Sequence, residues 1–390
     1  MLRCVKCGRV YGEDEVRYRC ECGGLLEVIV NLDGAENVFD GRNITLWKYR
    51  GFIPVEKKVS LDEGGTPLYR LENLQRKLGM RELYVKNEGA NPTGSFKDRG
   101  MTVGVSKALE LGMERVICAS TGNTSASLAA YAAKAGIDAY VLVPEGKIAL
   151  GKLAQAIVYG AKVVPVRGNF DDALGVVVEA SKELGVYMLN SINPFRLEGQ
   201  KTIAFEIYDQ LGFVPDNIIL PVGNAGNISA IWKGFRELCE AGFTDSLPRM
   251  IGIQAEGASP IVRAWKEGGP FKPLEKPETV ATAIRIGNPA NWPKAWRAVK
   301  ESGGAFESVS DDEILKAQRL LASEEGIFVE PASASSLAGL IKLGDEIGPD
   351  ESTVLITTGH GLKDPNIILE NFTLPEPIEP TIEAFRRRIE

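Results

Sequence analysis

From residue 83 onward the chain repeats one local pattern: a short apolar run, a loop rich in Gly, Ser, Thr and Asn, then a longer helical segment. The runs are LYVKN (83–87), RVICAS (115–120), DAYVLVP (138–144), AKVVPV (161–166), VYMLN (186–190), NIILPVG (217–223), MIGIQAE (250–256) and TVLITTG (353–359). They do not alternate polar with apolar, so they suit strands covered on both faces, and helices between them supply the covering. A parallel sheet follows. With 390 residues, 44% of them hydrophobic, the chain has material for two such sheets, hence two three-layer α/β domains. No internal repeat is apparent, and the ending LPEPIEPTIEAFRRRIE reads as a surface arm or short helix.

Charge and residue usage exclude several functions. The net charge of −7 gives no nucleic-acid footprint and no basic membrane patch. No apolar run approaches the roughly 18–20 residues of a membrane span, and MLRCVKCGRV lacks the apolar stretch of a secretion signal, so a cytoplasmic location is expected. His360 is the only histidine, which rules out any Ser-His-Asp triad without it and any multi-histidine metal site. Cys118, inside RVICAS, reads as a small buried hydrophobe.

Residues 1–30 form a separate cysteine-rich module. Cys4-x-x-Cys7 and Cys20-x-Cys22, the latter followed by two glycines, resemble paired knuckles whose four thiolates close a tetrahedral, structural zinc site. The single residue inside the second pair departs from the usual spacing. A small hairpin that keeps its thiols without metal therefore stands as the other reading.

Four loops carry chemistry, and each follows a strand and opens a helix, the edge where open α/β sheets bind ligands. In NPTGSFKDRG (91–100), Lys97 stands at the start of a helix expected over 96–111, where backbone dipoles favour a neutral, nucleophilic amine. In PVGNAGNISA (221–230), two glycines allow close backbone approach, and a helix expected from about 228 offers free N–H groups to a phosphate. The glycine spacing is not that of a dinucleotide site, and no Walker lysine is present. In STGNTSAS (120–127), hydroxyls, an amide and backbone N–H groups surround one turn, suiting a carboxylate and a phenolic oxygen. TTGHGLKD (357–364) sets a threonine hydroxyl at a strand end, with His360 read as structural. Singly, each loop passes for a solvated lysine, a tight turn or an elaborate helix cap. Together they supply the amine, phosphate cradle, carboxylate turn and ring-facing hydroxyl that pyridoxal 5′-phosphate (PLP) requires.

PTGSFKDRG, STGNTSAS, SINPFRLEGQKT, GNAGN, TAIRIGNP, EPASA and TTGHGLKD occur in the order found in the threonine synthases, and the chain resembles that family of tryptophan-synthase-β-like, fold type II PLP enzymes over about 60–372. The resemblance implies that Lys97 carries PLP as a Schiff base, that Asn123 bonds its O3′, and that Gly223, Asn224, Ala225, Gly226 and Asn227 hold its phosphate. Thr358 would face the ring nitrogen. Ser120, Thr121 and Thr124 would take the substrate carboxylate, and Ser191, Arg196 and Asn224 the phosphate of O-phospho-L-homoserine, a group that an arginine fork suits. The implied reaction is phosphate elimination followed by water addition, giving L-threonine. A homodimer is implied as well, with a large PLP-binding domain (31–105 and 200–372), a small mobile domain (106–199) and a tail (373–390). The cysteine module is similar to that on many archaeal and some bacterial members.

The rivals on the same fold are a cysteate synthase, using phosphoserine and sulfite, and a threonine/serine dehydratase, which has no need of Arg196. A non-catalytic metal-binding or regulatory protein on a degenerate fold is the rival of another class, and intact Lys97, Asn123, GNAGN and Thr358 speak against it. A nucleotide-binding enzyme is the weakest alternative.

Overall fold

The computed structural model describes residues 1–32, 39, 45–145, 150–367 and 376–389. The expected boundary at 372 lies outside the described residues. Thirteen strands are present among them: β1 (Leu2–Cys4), β2 (Val10–Tyr11), β3 (Leu26–Val28), β4 (Leu68–Arg70), β5 (Leu83–Asn87), β6 (Arg115–Ala119), β7 (Asp138–Pro144), β8 (Lys162–Val166), β9 (Tyr187–Met188), β10 (Asn217–Pro221), β11 (Arg249–Ala255), β12 (Ala305–Val309) and β13 (Thr353–Thr357). All eight apolar runs quoted above become strands.

They form three sheets. β2-β1-β3 is a small antiparallel sheet at the N-terminus. A six-stranded sheet runs β12-β11-β10-β13-β5-β4, parallel except for the antiparallel edge strand β4. A four-stranded sheet runs β8-β7-β6-β9 and is wholly parallel. β4 and β12 escape a sequence reading because both lie at sheet edges. A three-residue strand and a strand containing Glu307 and Ser308 lack the apolar continuity of central strands.

Burial on both faces explains that continuity. Along β10, Ile218 and Leu220 enter one core and Ile219 the core on the opposite face; along β13, Val354 and Ile356 likewise oppose Leu355. In the smaller sheet Val116 and Cys118 of β6 face one cluster, Ile117 and Ala119 the other. Cys118 is fully buried, as expected of a small hydrophobe.

Parallel register aligns the strand ends that matter. Thr357 of β13 pairs with Asn87 of β5, and Leu355 with Ile219 of β10. The loops that follow these three strands therefore leave one edge together. In the smaller sheet Ile117 pairs with Met188, so the segments after β6 and β9 also leave side by side. Among the described residues no helix is long and apolar enough to cross a membrane.

Candidate active site

The helix carrying Lys97 runs Lys97–Glu110, and its start is built by the two residues that follow the lysine. Asp98 folds back to accept from Thr93 N at 2.7 Å and from its hydroxyl at 2.6 Å, closing the Pro-Thr-Gly-Ser turn; burial pushes its pKa up to about 6. Arg99, wholly buried, donates to Glu88 from Nε at 2.6 Å and to Glu206 from Nη1 at 2.6 Å and Nη2 at 2.8 Å. Lys86 Nζ meets the same Glu206 at 2.7 Å. Each buried cation in this group thus faces a carboxylate, the arrangement that makes a buried charge tolerable. It locks the helix start to β5 and to the helix Thr202–Leu211.

Lys97 itself has no such partner. Its amine lies 4.4 Å from the centre of the Phe96 ring, and its pKa falls from 10.5 to about 7. Burial is the first cause and the Arg196 charge the second, against a pull upward from Glu330. An amine neutral near pH 7 is a nucleophile toward an aldehyde and a base toward a carbon acid.

The other loops close around it. Phe96 N donates to Thr358 O at 3.0 Å, Ser95 and Gly359 form an antiparallel bridge, and His360 N donates to Gly94 O at 2.9 Å. The loop after β13 is thereby sewn to the loop bearing the lysine. The Thr358 hydroxyl lies 3.0 Å from Ser333 Oγ, which also accepts from the backbone of Thr358 and Gly359 at 2.8 Å each. His360 is structural, as read: its Nδ1 accepts from Leu362 N at 3.1 Å, and its ring meets Phe328 edge-on.

The turn after β10 begins its helix, Gly226–Glu240, two residues earlier than expected. The cause is Ala225, held at φ 62°, a left-handed conformation that folds the chain straight into helix. The first N–H groups of that helix, those of Gly226 and Asn227, consequently belong to the loop itself. At Gly223 a Cβ would lie 3.2 Å from Ala283 O and Ile284 Cα, so only glycine passes there without pushing the neighbouring chain aside. Asn224 O accepts from Asn291 N at 3.0 Å, and Asn291 Nδ2 donates to Ser191 O at 2.9 Å, joining SINPFR to this turn. Asn227 is buried, and neither Nδ2 nor Oδ1 has a hydrogen-bond partner within the chain.

Arg196 lies on the helix Pro194–Gln200, whose Asn193 side chain accepts from Phe195 N. It is buried, its Nε and Nη2 have no partner, and burial lowers its pKa to about 10. A buried guanidinium left open in this way is costly unless an anion joins it. Gly100 and Gly104, on the lysine helix, give it passage: Cβ atoms there would meet Arg196 O at 3.0 Å and Cγ at 3.3 Å.

After β6, the helix starts at Asn123 and puts its side chain across to the larger sheet, donating to both Glu330 oxygens at 3.1 Å. Ser120, Thr121 and Thr124 are half-buried beside it, with Ser120 Oγ accepting from Gly122 N at 3.2 Å. Sequence reasoning passed over Glu330, Ser333 and Arg99. EPASA and KDRG are plain in the sequence, but only the fold reveals that their charges and hydroxyls turn inward.

These residues fit PLP. They offer an unpartnered amine, a helix start with open N–H groups and an orphaned buried amide for its phosphate, and the Thr358 hydroxyl at a strand end. The cysteines likewise fit a metal ion. The four Sγ atoms lie within 4.8 Å of one another, with Cys7–Cys20 at 3.5 Å and Cys4–Cys22 at 3.6 Å. A tetrahedron with sulfurs ~2.3 Å from zinc has edges of about 3.8 Å. Gly24 leaves room for this cluster: a Cβ there would come 2.6 Å from Cys4 Sγ and 3.3 Å from Cys22 Sγ.

Comparisons with known proteins agree with this geometry. A sequence profile described as "Pyridoxal-phosphate dependent enzyme" matches residues 59–359. The chain is 61% identical, over 399 aligned residues, to the threonine synthase of Methanocaldococcus jannaschii, covering 99% of this chain and 98% of that one. It is 59% identical over 397 residues to the threonine synthase of Methanosarcina acetivorans, covering 100% and 98%. In three dimensions it matches the structure of maize serine racemase with a TM-score of 0.68 at 22% identity, over 78% of this chain and 91% of that one, a likeness of fold alone.

Proposed function

The chain belongs to the pyridoxal-phosphate dependent enzymes and, within them, to the threonine synthases, and from that premise we propose how its own residues carry the reaction. O-phospho-L-homoserine and water give L-threonine and phosphate, with phosphate leaving Cγ and water adding at Cβ. PLP, when bound, supplies the electron sink for negative charge at the substrate Cα.

In this reading Lys97 attaches the cofactor, then as a free amine takes the proton from Cα, and it serves the later proton transfers at Cβ and Cγ. Its pKa of about 7 lets one nitrogen both accept and return protons. Gly223, Asn224, Ala225, Gly226 and Asn227 hold the cofactor phosphate against the helix start, Asn123 bonds its phenolic oxygen, and Thr358 offers a hydroxyl to its ring nitrogen. A hydroxyl there cannot hold the ring protonated as a carboxylate would. Ser120, Thr121 and Thr124 orient the substrate carboxylate. Arg196, with Ser191 and Asn224, grips the substrate phosphate.

The single observation that carries the substrate assignment is the buried Arg196 guanidinium, coupled electrostatically to Lys97 and with two of its nitrogens unpartnered. A dehydratase substrate brings only its α-carboxylate, which Ser120, Thr121 and Thr124 take in this reading, and no second anion for such a group. We further propose a cytoplasmic homodimer whose small domain (106–199) moves against the large one; sedimentation and small-angle scattering with and without ligand test this. Incubation of the purified, PLP-loaded protein with O-phosphohomoserine, and separately with phosphoserine plus sulfite, tests the function. Threonine and phosphate in equal amounts from the first are expected; cysteate from the second, or a 2-keto acid, would overturn it.

A further inference from the structure

Glu330 has no role in the chemistry described so far, yet three loops meet on its carboxylate. It precedes the helix Pro331–Leu343, is buried, and donates from its backbone N–H to Gly359 O at 3.1 Å. Both of its oxygens accept from Asn123 Nδ2 at 3.1 Å. Room for it is made at position 359, where a Cβ would lie 2.6 Å from Oε1.

A carboxylate that accepts from an amide settles which way that amide faces. A terminal amide torsion is otherwise broad and nearly two-fold, so nitrogen and oxygen exchange places at little cost. An ionised carboxylate only accepts, so the Asn123 nitrogen must face it and the Asn123 oxygen must not. Nδ2 carries two hydrogens, so where one is shared between the two Glu330 oxygens the second is left for an anionic oxygen on a ligand.

The charge has a second consequence. The groups felt by Glu330 are Lys97 and Lys363 as cations, Asp364 as an anion and Asn123 as a donor; Lys97 in turn feels Arg196 as a like charge and Glu330 as an opposite one. Burial raises the Glu330 pKa, while Asn123 and the two lysines hold it back. Glu330 is thus the carboxylate that offsets Arg196 at the lysine nitrogen.

We propose that Glu330 is a positioning residue of the reaction: it fixes the Asn123 amide in one orientation, and its charge sets the protonation of the nitrogen that Lys97 contributes to the cofactor linkage. This rests on the reading in which Lys97 carries PLP and Asn123 faces it.

The test is a pH titration of the visible absorbance band of the PLP-loaded protein, with steady-state kinetics, for the parent, Glu330→Gln and Glu330→Asp. A nearby negative charge favours the protonated nitrogen, so removing it lowers the titration midpoint. Glu330→Gln keeps size and a carbonyl acceptor but loses the charge, and its midpoint is expected to fall by about one pH unit or more. Glu330→Asp keeps the charge and withdraws it by one methylene. Its midpoint is expected to stay near the parent's, while kcat drops about tenfold or more with KM little changed. An unchanged midpoint in Glu330→Gln, in a protein that binds PLP normally, would overturn the proposal. Should Glu330→Asp prove unstable, the near-isosteric Glu330→Gln decides alone. The premise is checked separately: a parent without the band, or a band that survives Lys97→Ala, would sink the reading beneath the proposal and the proposal with it.

Discussion

Lys97 and Arg196 are two cations brought into one buried site without a carboxylate bonded to either, and each shows the strain in its pKa. For Lys97 the sign is unambiguous. Its amine titrates near 7 in the folded chain and near 10.5 when exposed, so between those values the unfolded chain binds more protons. Folding stability of the PLP-free protein therefore rises with pH across that window. The penalty is complete below about pH 7 and gone above about 10.5. Lys97→Met, which keeps the bulk and removes the charge, is expected to be more stable than the parent at mildly acidic pH, with the advantage vanishing on the alkaline side. Urea denaturation of both PLP-free proteins at a series of pH values measures it, and an advantage that does not vary with pH would contradict the shift. Arg196 leads to a contrast of a different kind. Its Nε and Nη2 make no hydrogen bond, so Arg196→Met removes little that holds the ligand-free protein together. The melting temperature is expected to hold or rise, while KM for O-phosphohomoserine climbs about 10²-fold, the order seen when one partner of a buried charge pair is lost. A collapse in stability with KM unchanged would mean that Arg196 serves the fold and not the phosphate.

Two helices decide where those cations sit, and they meet at glycines. A Cβ on Gly199 would lie 1.7 Å from Arg99 O, and one on Gly100 would lie 2.9 Å from Gln200 Nε2 and 3.0 Å from Arg196 O. The helices Lys97–Glu110 and Pro194–Gln200 thus touch backbone to backbone, one carrying the lysine and the other the arginine. Neither can retreat, because Arg99 is fixed by Glu88 and Glu206, and Glu198 by Lys201 at 2.5 Å and by Lys233. Gly199→Ala is accordingly expected to destabilise the protein by about 3 kcal/mol, as overpacking into backbone does, and to weaken PLP binding by pushing the helices apart. Chemical denaturation gives the first quantity and absorbance titration with PLP the second; a near-neutral substitution would show that the crossing yields. Such crossings are hard to read in a sequence. The loops at strand ends announce themselves because close backbone approach demands Gly, Asn, Ser and Thr, which is why Lys97, Asn123, Gly223 and Thr358 stand out in the sequence as candidates. Gly199 carries no such sign, since its partner lies a hundred positions away and no periodicity links them.

At the scale of the whole molecule the same division holds. Strands buried on both faces are legible as continuous apolar runs, but what joins the three sheets is not, because it depends on contacts, apolar and polar, between residues distant in the chain. Asn123 reaches Glu330 across 207 positions, and the N-terminal hairpin reaches farther still. Lys294 Nζ donates to Leu26 O at 2.6 Å, Lys233 Nζ to Val28 O at 2.7 Å, and Arg297 pairs with Glu27 at 2.9 Å. On the other side Tyr18 Oη accepts from Met188 N at 2.8 Å, on β9 of the smaller sheet. The cysteine module is therefore bonded to helices on the larger sheet and to a strand of the smaller one. Lys233 also lies roughly two turns along the helix whose first N–H groups belong to the phosphate turn. Three strands of two or three residues have little core of their own beyond Leu2, Leu26 and Val28, which pack against Trp47, Val103 and Phe195, so four thiolates closed on a zinc ion would add to the module's stability. Chelation, or Cys4→Ser with Cys7→Ser, is expected to lower the melting temperature by about 5 °C or more and to weaken PLP binding, although no cysteine touches the cofactor site. Metal analysis should find one zinc per chain beforehand and none afterwards. If the protein as isolated holds no metal and melts at the same temperature with chelator, the hairpin keeps its thiols bare, and the contacts of Leu26, Glu27, Val28 and Tyr18 must hold the module in place unaided.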